Sequence, residues 1–170
     1  MRMLPVWSTA PLGVMLLALT TAVWAGGEKI PLDKVPKAAL DAVKAKFPGS
    51  DLGDARKTKE RGRTRYEIEL DFKGHGYDVT VTSTGKIVVI EKEITLKELP
   101  KAVSKALNAK YPKAKVKSVA EVTEDDEVTY EVTLTVQGKE LEAIFSPSGK
   151  FLDEELKTEK TEEKKGKKEK

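Results

Sequence analysis

The chain contains no cysteine and a single histidine, His75. Without thiols there is no disulfide framework, no cysteine-ligated zinc and no thiol nucleophile. A lone histidine leaves a zinc site short of partners, because such sites draw on several nitrogen or sulfur ligands. His75 stands between two glycines, the composition of an exposed turn. A glycine-rich phosphate loop, a nucleophile elbow and a histidine pair at metal spacing are all missing. These absences argue against an enzyme and against any cofactor.

Long apolar runs are scarce too. The longest, Leu12 to Val23, falls short of the ~20 residues a membrane span needs. It follows a positive start at Arg2 and leads into Val23-Trp24-Ala25, with small residues where a signal peptidase requires them. Residues 1–25 therefore read as an export signal cut before Gly26; an uncleaved anchor is the alternative. Export places the protein in the periplasm or outside the cell, with no membrane span after cleavage.

Charge of one sign is also lacking where it would matter. The net charge is +3, but Arg2 and the stretch from Lys157 to Lys170 supply more than all of it. The remainder is slightly negative, so the folded body has no excess of basic charge and no nucleic-acid partner is expected. The end of the chain, 158–170, is almost wholly Lys, Glu and Thr. Nothing in it can build a core, so it reads as a disordered tail.

What is present is a repeat. Ile30 to Pro48 reads IPLDKVPKAALDAVKAKFP, and Ile94 to Pro112 reads ITLKELPKAVSKALNAKYP. The offset of 64 persists without a gap: Tyr66-Glu67 recurs as Tyr130-Glu131, Gly74 as Gly138, and Gly85-Lys86 as Gly149-Lys150. Two copies of one unit are implied. A single 64-residue unit would bury only ~60% of its unfolded surface, so the copies are expected to pack together.

Each copy opens with a helix. Val35, Ala38, Ala39, Ala42, Val43 and Phe47 form a stripe at helical spacing, and Leu99, Ala102, Val103, Ala106, Leu107 and Tyr111 repeat it. Pro36 and Pro100 suit a helix start, while Pro48 and Pro112 end the helices at the aromatic before them. Strands follow. Tyr66, Ile68, Leu70 and Phe72 alternate with Glu67, Glu69 and Asp71; Tyr130, Val132, Leu134 and Val136 alternate with Glu131, Thr133 and Thr135. A period of two marks a strand with one buried and one wet face. Further strands are expected over Leu52 to Thr58, Tyr77 to Val81 and from Ile87, with counterparts in the second copy. The fold class is α+β: two tandem repeats, 26–93 and 94–157, each one helix on a three- to four-stranded antiparallel sheet.

The helix segments VPKAALDAVKAKFP and LPKAVSKALNAKYP, the strands YEIEL and YEVTL, and the closing Gly-Lys hairpins resemble the PepSY-like, beta-lactamase-inhibitor-like family. The resemblance implies export, a helix on a four-stranded sheet in each repeat, and protein binding or inhibition in some relatives. Copy one departs mildly, with Val35 in place of leucine. The family motif carries no catalytic residue over.

Candidate partner-binding residues fall in two groups. Arg61, Arg63 and Arg65 lie in a basic loop, and Asp125, Asp126 and Glu127 in the equivalent loop of copy two. One structural position thus has opposite sign in the two copies, which suits loops that attract each other or steer a charged partner. Glu67, Glu69 and Asp71, with Asp78, share the wet face of one sheet. Carboxylates can do acid–base work only where a cleft shifts their pKa, and an open sheet face offers none. The sequence therefore points to an exported, non-catalytic protein-binding module, with inhibition of an outside enzyme as its sharper form. The alternative is an envelope-associated structural or adhesive protein whose lysine-rich tail touches anionic surfaces.

Overall fold

The computed structural model describes residues 27–60 and 62–157. The expected signal at 1–25, Arg61 and the tail at 158–170 lie outside the described residues.

The elements follow the repeat. A short strand β1 (Glu28–Ile30) and a 3-10 turn (Leu32–Lys34) lead into helix α1 (Lys37–Lys46), then β2 (Asp51–Glu60), β3 (Arg63–Phe72), β4 (His75–Thr82) and β5 (Ile87–Glu93). Helix α2 (Lys101–Lys110) is followed by β6 (Lys115–Glu124), β7 (Glu127–Val136), β8 (Lys139–Phe145) and β9 (Phe151–Leu156). Pro36 and Pro100 sit immediately before the first helical residue, where the missing N–H costs nothing. The helices stop where Pro48 and Pro112 dictate: Phe47 and Tyr111 leave helical geometry at φ −123° and −130°.

The nine strands of the described residues form one antiparallel sheet in sequence order. The halves join where Val89–Glu93 of β5 pairs with Glu124–Ala120 of β6. The repeat explains this seam. In copy one, β1 pairs with β2 as Glu28 opposite Lys57. The positions 64 residues later are Lys92 and Glu121, which pair in the seam. The end of β5 thus serves copy two as β1 serves copy one, so one strand belongs to both units.

Alternation places the core on one face. Ile68, Leu70, Val79 and Val81 gather with Val35, Ala39, Val43 and Phe47 of the α1 segment. Val132, Leu134, Ala143 and Phe145 gather with Leu99, Val103 and Leu107 around α2. Volume is redistributed between the copies: Val79 becomes the smaller Ala143, while Ala39 and Val81 become the larger Val103 and Phe145. Phe47, Phe72 and Tyr77 stack edge-on or tilted, with centroids 5.0–6.4 Å apart.

Two details of the apolar stripe differ from expectation. Ala38 and Ala102 are exposed, at the margin of the helix face rather than on it. Their carbonyls instead meet the hairpin glycines. A Cβ built on Gly85 would lie 2.6 Å from the Ala38 carbonyl oxygen, and one on Gly149 would lie 2.4 Å from that of Ala102. Both glycines also hold positive φ, 87° and 81°. The Gly-Lys hairpins are therefore glycine because helix backbone rests on them.

Candidate partner-binding face

The side chains pointing away from the cores build the second face of the sheet, on which neither helix packs. On β3 these are Arg65, Glu67 and Glu69; Asp78 and Thr80 stand opposite them on β4, and Val89 and Glu91 opposite those on β5. Ala120 and Val122 continue the face on β6, Glu131 on β7, Glu142 and Ile144 on β8, and Glu155 on β9.

Register makes this face unusual. Glu69 is directly opposite Asp78, Asp78 is directly opposite Glu91, and Glu142 is directly opposite Glu155. Like charges in such pairs destabilise a sheet. Several of the groups are also withdrawn from water: Glu67 and Glu142 are 7% and 9% exposed. Apolar neighbours contribute to this, since Glu91 faces Val122, and Glu131 faces Ala120 and Ile144.

The titration of the row follows. Burial, then the charges of Glu69 and Glu93, raises Asp78 to about 6 against the pull of Arg56. Burial, then Asp78 and Glu142, raises Glu91 to about 7. Burial and a hydrogen bond with Glu142 push Glu131 well above the usual carboxylate range. Two carboxyl groups form that bond only with a proton between them. The expectation that an open sheet face cannot shift a carboxyl pKa is thus corrected: neighbouring strands supply both the desolvation and the like charge.

Cations neutralise the ends of the row. Arg56 Nη2 lies 3.6 Å from Glu69 Oε1. Lys157 Nζ lies 2.5 Å from Glu142 Oε2, and the Lys157 N–H donates to the Glu140 carbonyl.

Of the residues singled out in the sequence, Glu67 and Glu69 belong to this face, and Arg65 borders it, half-buried. Asp71 is exposed at the far end of β3. The hairpin between β2 and β3 carries exposed Arg63; Arg61 is outside the described residues. Asp125 and Asp126 form the β6–β7 turn, with Glu127 following, all exposed. The two hairpins lie at the same end of the sheet, but the β4–β5 turn stands between them, and β3 is three strand spacings, ~14 Å, from β6. Lys86 of that intervening turn meets Asp125 at 3.7 Å. His75 is half-buried rather than exposed: its Nδ1–H donates to the Glu93 carbonyl at 3.0 Å, and Nε2 lies 3.6 Å from Glu98.

Sequence reasoning missed Glu91, Glu131 and Glu142. A signal for them existed in the repeat. Glu67, Asp78 and Glu91 recur 64 residues later as Glu131, Glu142 and Glu155, acidic in both copies.

Elsewhere the surface offers shallow depressions. The larger, about 430 Å³, lies at the β1 edge beside Lys29, Leu32 and Asp54, away from the acidic row. Among the described residues no group of three or more His, Asp or Glu side chains is arranged to hold a metal ion, and no helix is long and apolar enough to cross a membrane.

A family model described as beta-lactamase-inhibitor-like, PepSY-like, matches residues 21–89 and again 74–153. The chain belongs to this family. Its two matches fall on the two copies. The fold is similar to that of a BLIP-like protein from Bacteroides fragilis, at 23% identity and TM-score 0.61 over 75% of this chain and 87% of that one. It is also similar to a protein from Bacteroides eggerthii described as periplasmic, at 19% identity and TM-score 0.64 over 72% and 88%. A DUF2874 family protein from Bacteroides uniformis aligns at 19% identity and TM-score 0.63 over 71% and 88%. At these identities the likeness is one of fold. A search of the curated proteins finds no match.

Proposed function

We propose that the chain is an exported, non-catalytic binding module that engages a protein partner in the periplasm or outside the cell through its uncovered sheet face. The observation that carries this reading is the retention of three carboxylate positions in both copies, on a face without a helix, at a cost to the sheet. A fold has no use for directly opposed acids, and rule-breaking positions of this kind are where functional sites concentrate. Family membership and the likeness to a protein described as periplasmic support export and binding. The sharper form is inhibition of an enzyme by occlusion, in keeping with the family description. In this reading residues 26–93 and 94–157 are two tandem repeats, each a helix on a three- to four-stranded antiparallel section of sheet, extended in the first copy by the short β1, and 1–25 and 158–170 are a removable signal and a loose tail. Arg63, Arg65 and the acidic β6–β7 hairpin border the face and steer the partner toward it.

The test is capture from an envelope extract by the immobilised exported chain, followed by identification of the captured protein. Substituting Glu67→Lys and Glu142→Lys should abolish capture, whereas deleting 158–170 should leave it intact. Loss of capture on deleting the tail alone would favour the other reading, an envelope protein adhering through its lysines.

A further inference from the structure

The acidic row specifies more than a binding face. Its three repeated positions stay acidic while their neighbours on the same face have diverged: Arg56 corresponds to Ala120, Thr80 to Ile144 and Val89 to Asp153. Drift over the whole face would have spread the changes evenly. Opposed and partly desolvated carboxylates also lower stability, which leaves ligand binding as the reason to keep them.

The groups themselves say what the ligand is. A carboxyl group that gives up its proton to an incoming ligand then only accepts hydrogen bonds, so the complement that draws the proton off is a donor carrying positive charge. The described residues offer no metal-holding group. The protein itself shows the alternative, an ammonium seated on Glu142 by Lys157 and a guanidinium beside Glu69 from Arg56. Both lie at the ends of the row. In its middle, no lysine or arginine among the described residues comes within ion-pair distance of Asp78, Glu91 or Glu131; Arg56 acts on Asp78, and Lys157 on Glu91 and Glu131, only from farther off.

A second observation points to the same place. The Thr80 hydroxyl is on this face, directly opposite Glu67 on β3 and Val89 on β5, and the Asp78–Glu91 pair is the next pair along the same face. Thr80 is only 5% exposed, and its Oγ1 has no hydrogen-bond partner. Buried hydroxyls are normally satisfied, so this one is an acceptor and donor waiting for a polar ligand.

We propose that the middle of the row, formed by Asp78, Glu91 and Glu131 beside Thr80, is a binding site for lysine or arginine side chains of the partner polypeptide. This rests on the reading that the face binds a protein, and it names the chemistry of that contact. Midway between β4 and β5 is two and a half strand spacings, ~12 Å, from β7, and Glu131 stands two residues along the strands from the Asp78–Glu91 pair, so the two positions are ~14 Å apart, which matches cations four residues apart on an extended segment, ~13 Å. Such a segment, lying across the strands, sets one cation between Asp78 and Glu91 and a second on Glu131.

The probe is an N-acetylated, C-amidated pentalysine peptide, titrated into the exported chain by calorimetry at low salt and neutral pH. Its control is the same peptide with every lysine acetylated. Pentalysine should bind and the control should not. Glu91→Gln combined with Glu131→Gln should weaken binding by about tenfold or more, the effect of a single lost charge-assisted contact. Removing the same charge on the helix side of the sheet, with Asp33→Asn and Asp41→Asn, should leave affinity within about twofold, a change under 0.5 kcal/mol. A melting temperature for the double glutamine variant at or above that of the natural chain certifies that it is folded, and Thr80→Val provides an independent, uncharged perturbation expected to weaken binding as well. The proposal is overturned if the acetylated control binds equally, or if the double glutamine and helix-side variants behave alike. It is also overturned if truncation after Lys157 raises affinity more than about tenfold, since the chain's own tail would then be the occupant. If the double glutamine variant still captures the envelope partner undiminished, the lysine site falls while the protein-binding reading stands; if pentalysine behaves as stated and no partner is captured, the reverse holds.

Discussion

Replacing Glu91 by glutamine should stabilise the protein at pH 8 and much less at pH 5. In the folded sheet the carboxyl is desolvated beside Val122 and faces Asp78, so its pKa rises from 4.5 to about 7. The folded state therefore keeps a proton that the unfolded chain has lost. Stability falls as pH climbs from about 4.5 to about 7, and the whole penalty is in place above that window. At 1.36 kcal/mol per pH unit the penalty is at most about 3.4 kcal/mol. Glu91 is half-buried and part of the repulsion is screened by water, which reduces the expectation to about 1–2 kcal/mol. Glutamine preserves the shape and removes the charge, so that amount should return at pH 8, raising the melting temperature by roughly 4–8 °C. Asp78 and Glu131 are shifted in the same direction, so the natural chain itself should be more stable at pH 5 than at pH 8. Urea denaturation followed by circular dichroism at the two pH values measures both effects, with equal slopes as the check that the unfolded state is unaltered. A Glu91→Gln variant less stable than the natural chain at pH 8, or a natural chain more stable at pH 8 than at pH 5, would refute the reasoning.

Three further outcomes are expected. Gly149→Ala should cost roughly 2–4 kcal/mol, from positive φ together with a Cβ driven into the Ala102 carbonyl, whereas Gly74→Ala, at similar φ but with open space around it, should cost only about 1 kcal/mol; equal thermal shifts for the two would show that α2 does not rest on the hairpin. Asp126 holds φ 67° in the β6–β7 turn, so Asp126→Gly should stabilise by roughly 0.5–1 kcal/mol in a denaturant titration, and a loss would mean that its side chain anchors the turn. Deleting 158–170 should leave the melting temperature unchanged, because nothing after Leu156 is apolar; a clear drop in a calorimetric scan would show that the tail docks.

The sequence alone determined the two-fold repeat, the order of helix and strands within each copy, and which side chains of each strand turn inward. These follow from local rules: the 64-residue offset, helical and two-residue periodicities, and prolines that stop a helix at Phe47 and Tyr111. The opposite signs of the two loops were legible too, but not that the β4–β5 turn separates them or that Lys86 reaches Asp125. Nor could strand periodicity reveal that β5 serves both copies and fuses them into one sheet, because pairing between strands is set by partners distant in the chain. The acidic row depends on register. Asp78 meets Glu91, and Glu142 meets Glu155, only because each ladder is aligned to the residue, and a slip of one position would send every carboxylate to the opposite face. Taken strand by strand, Glu91, Glu131 and Glu142 are ordinary acids of a wet face, and even Glu67, Glu69 and Asp78, legible as one face, carry no sign of burial. The tertiary structure made them a site by setting them against one another across the sheet, where burial and repulsion act on several of them at once.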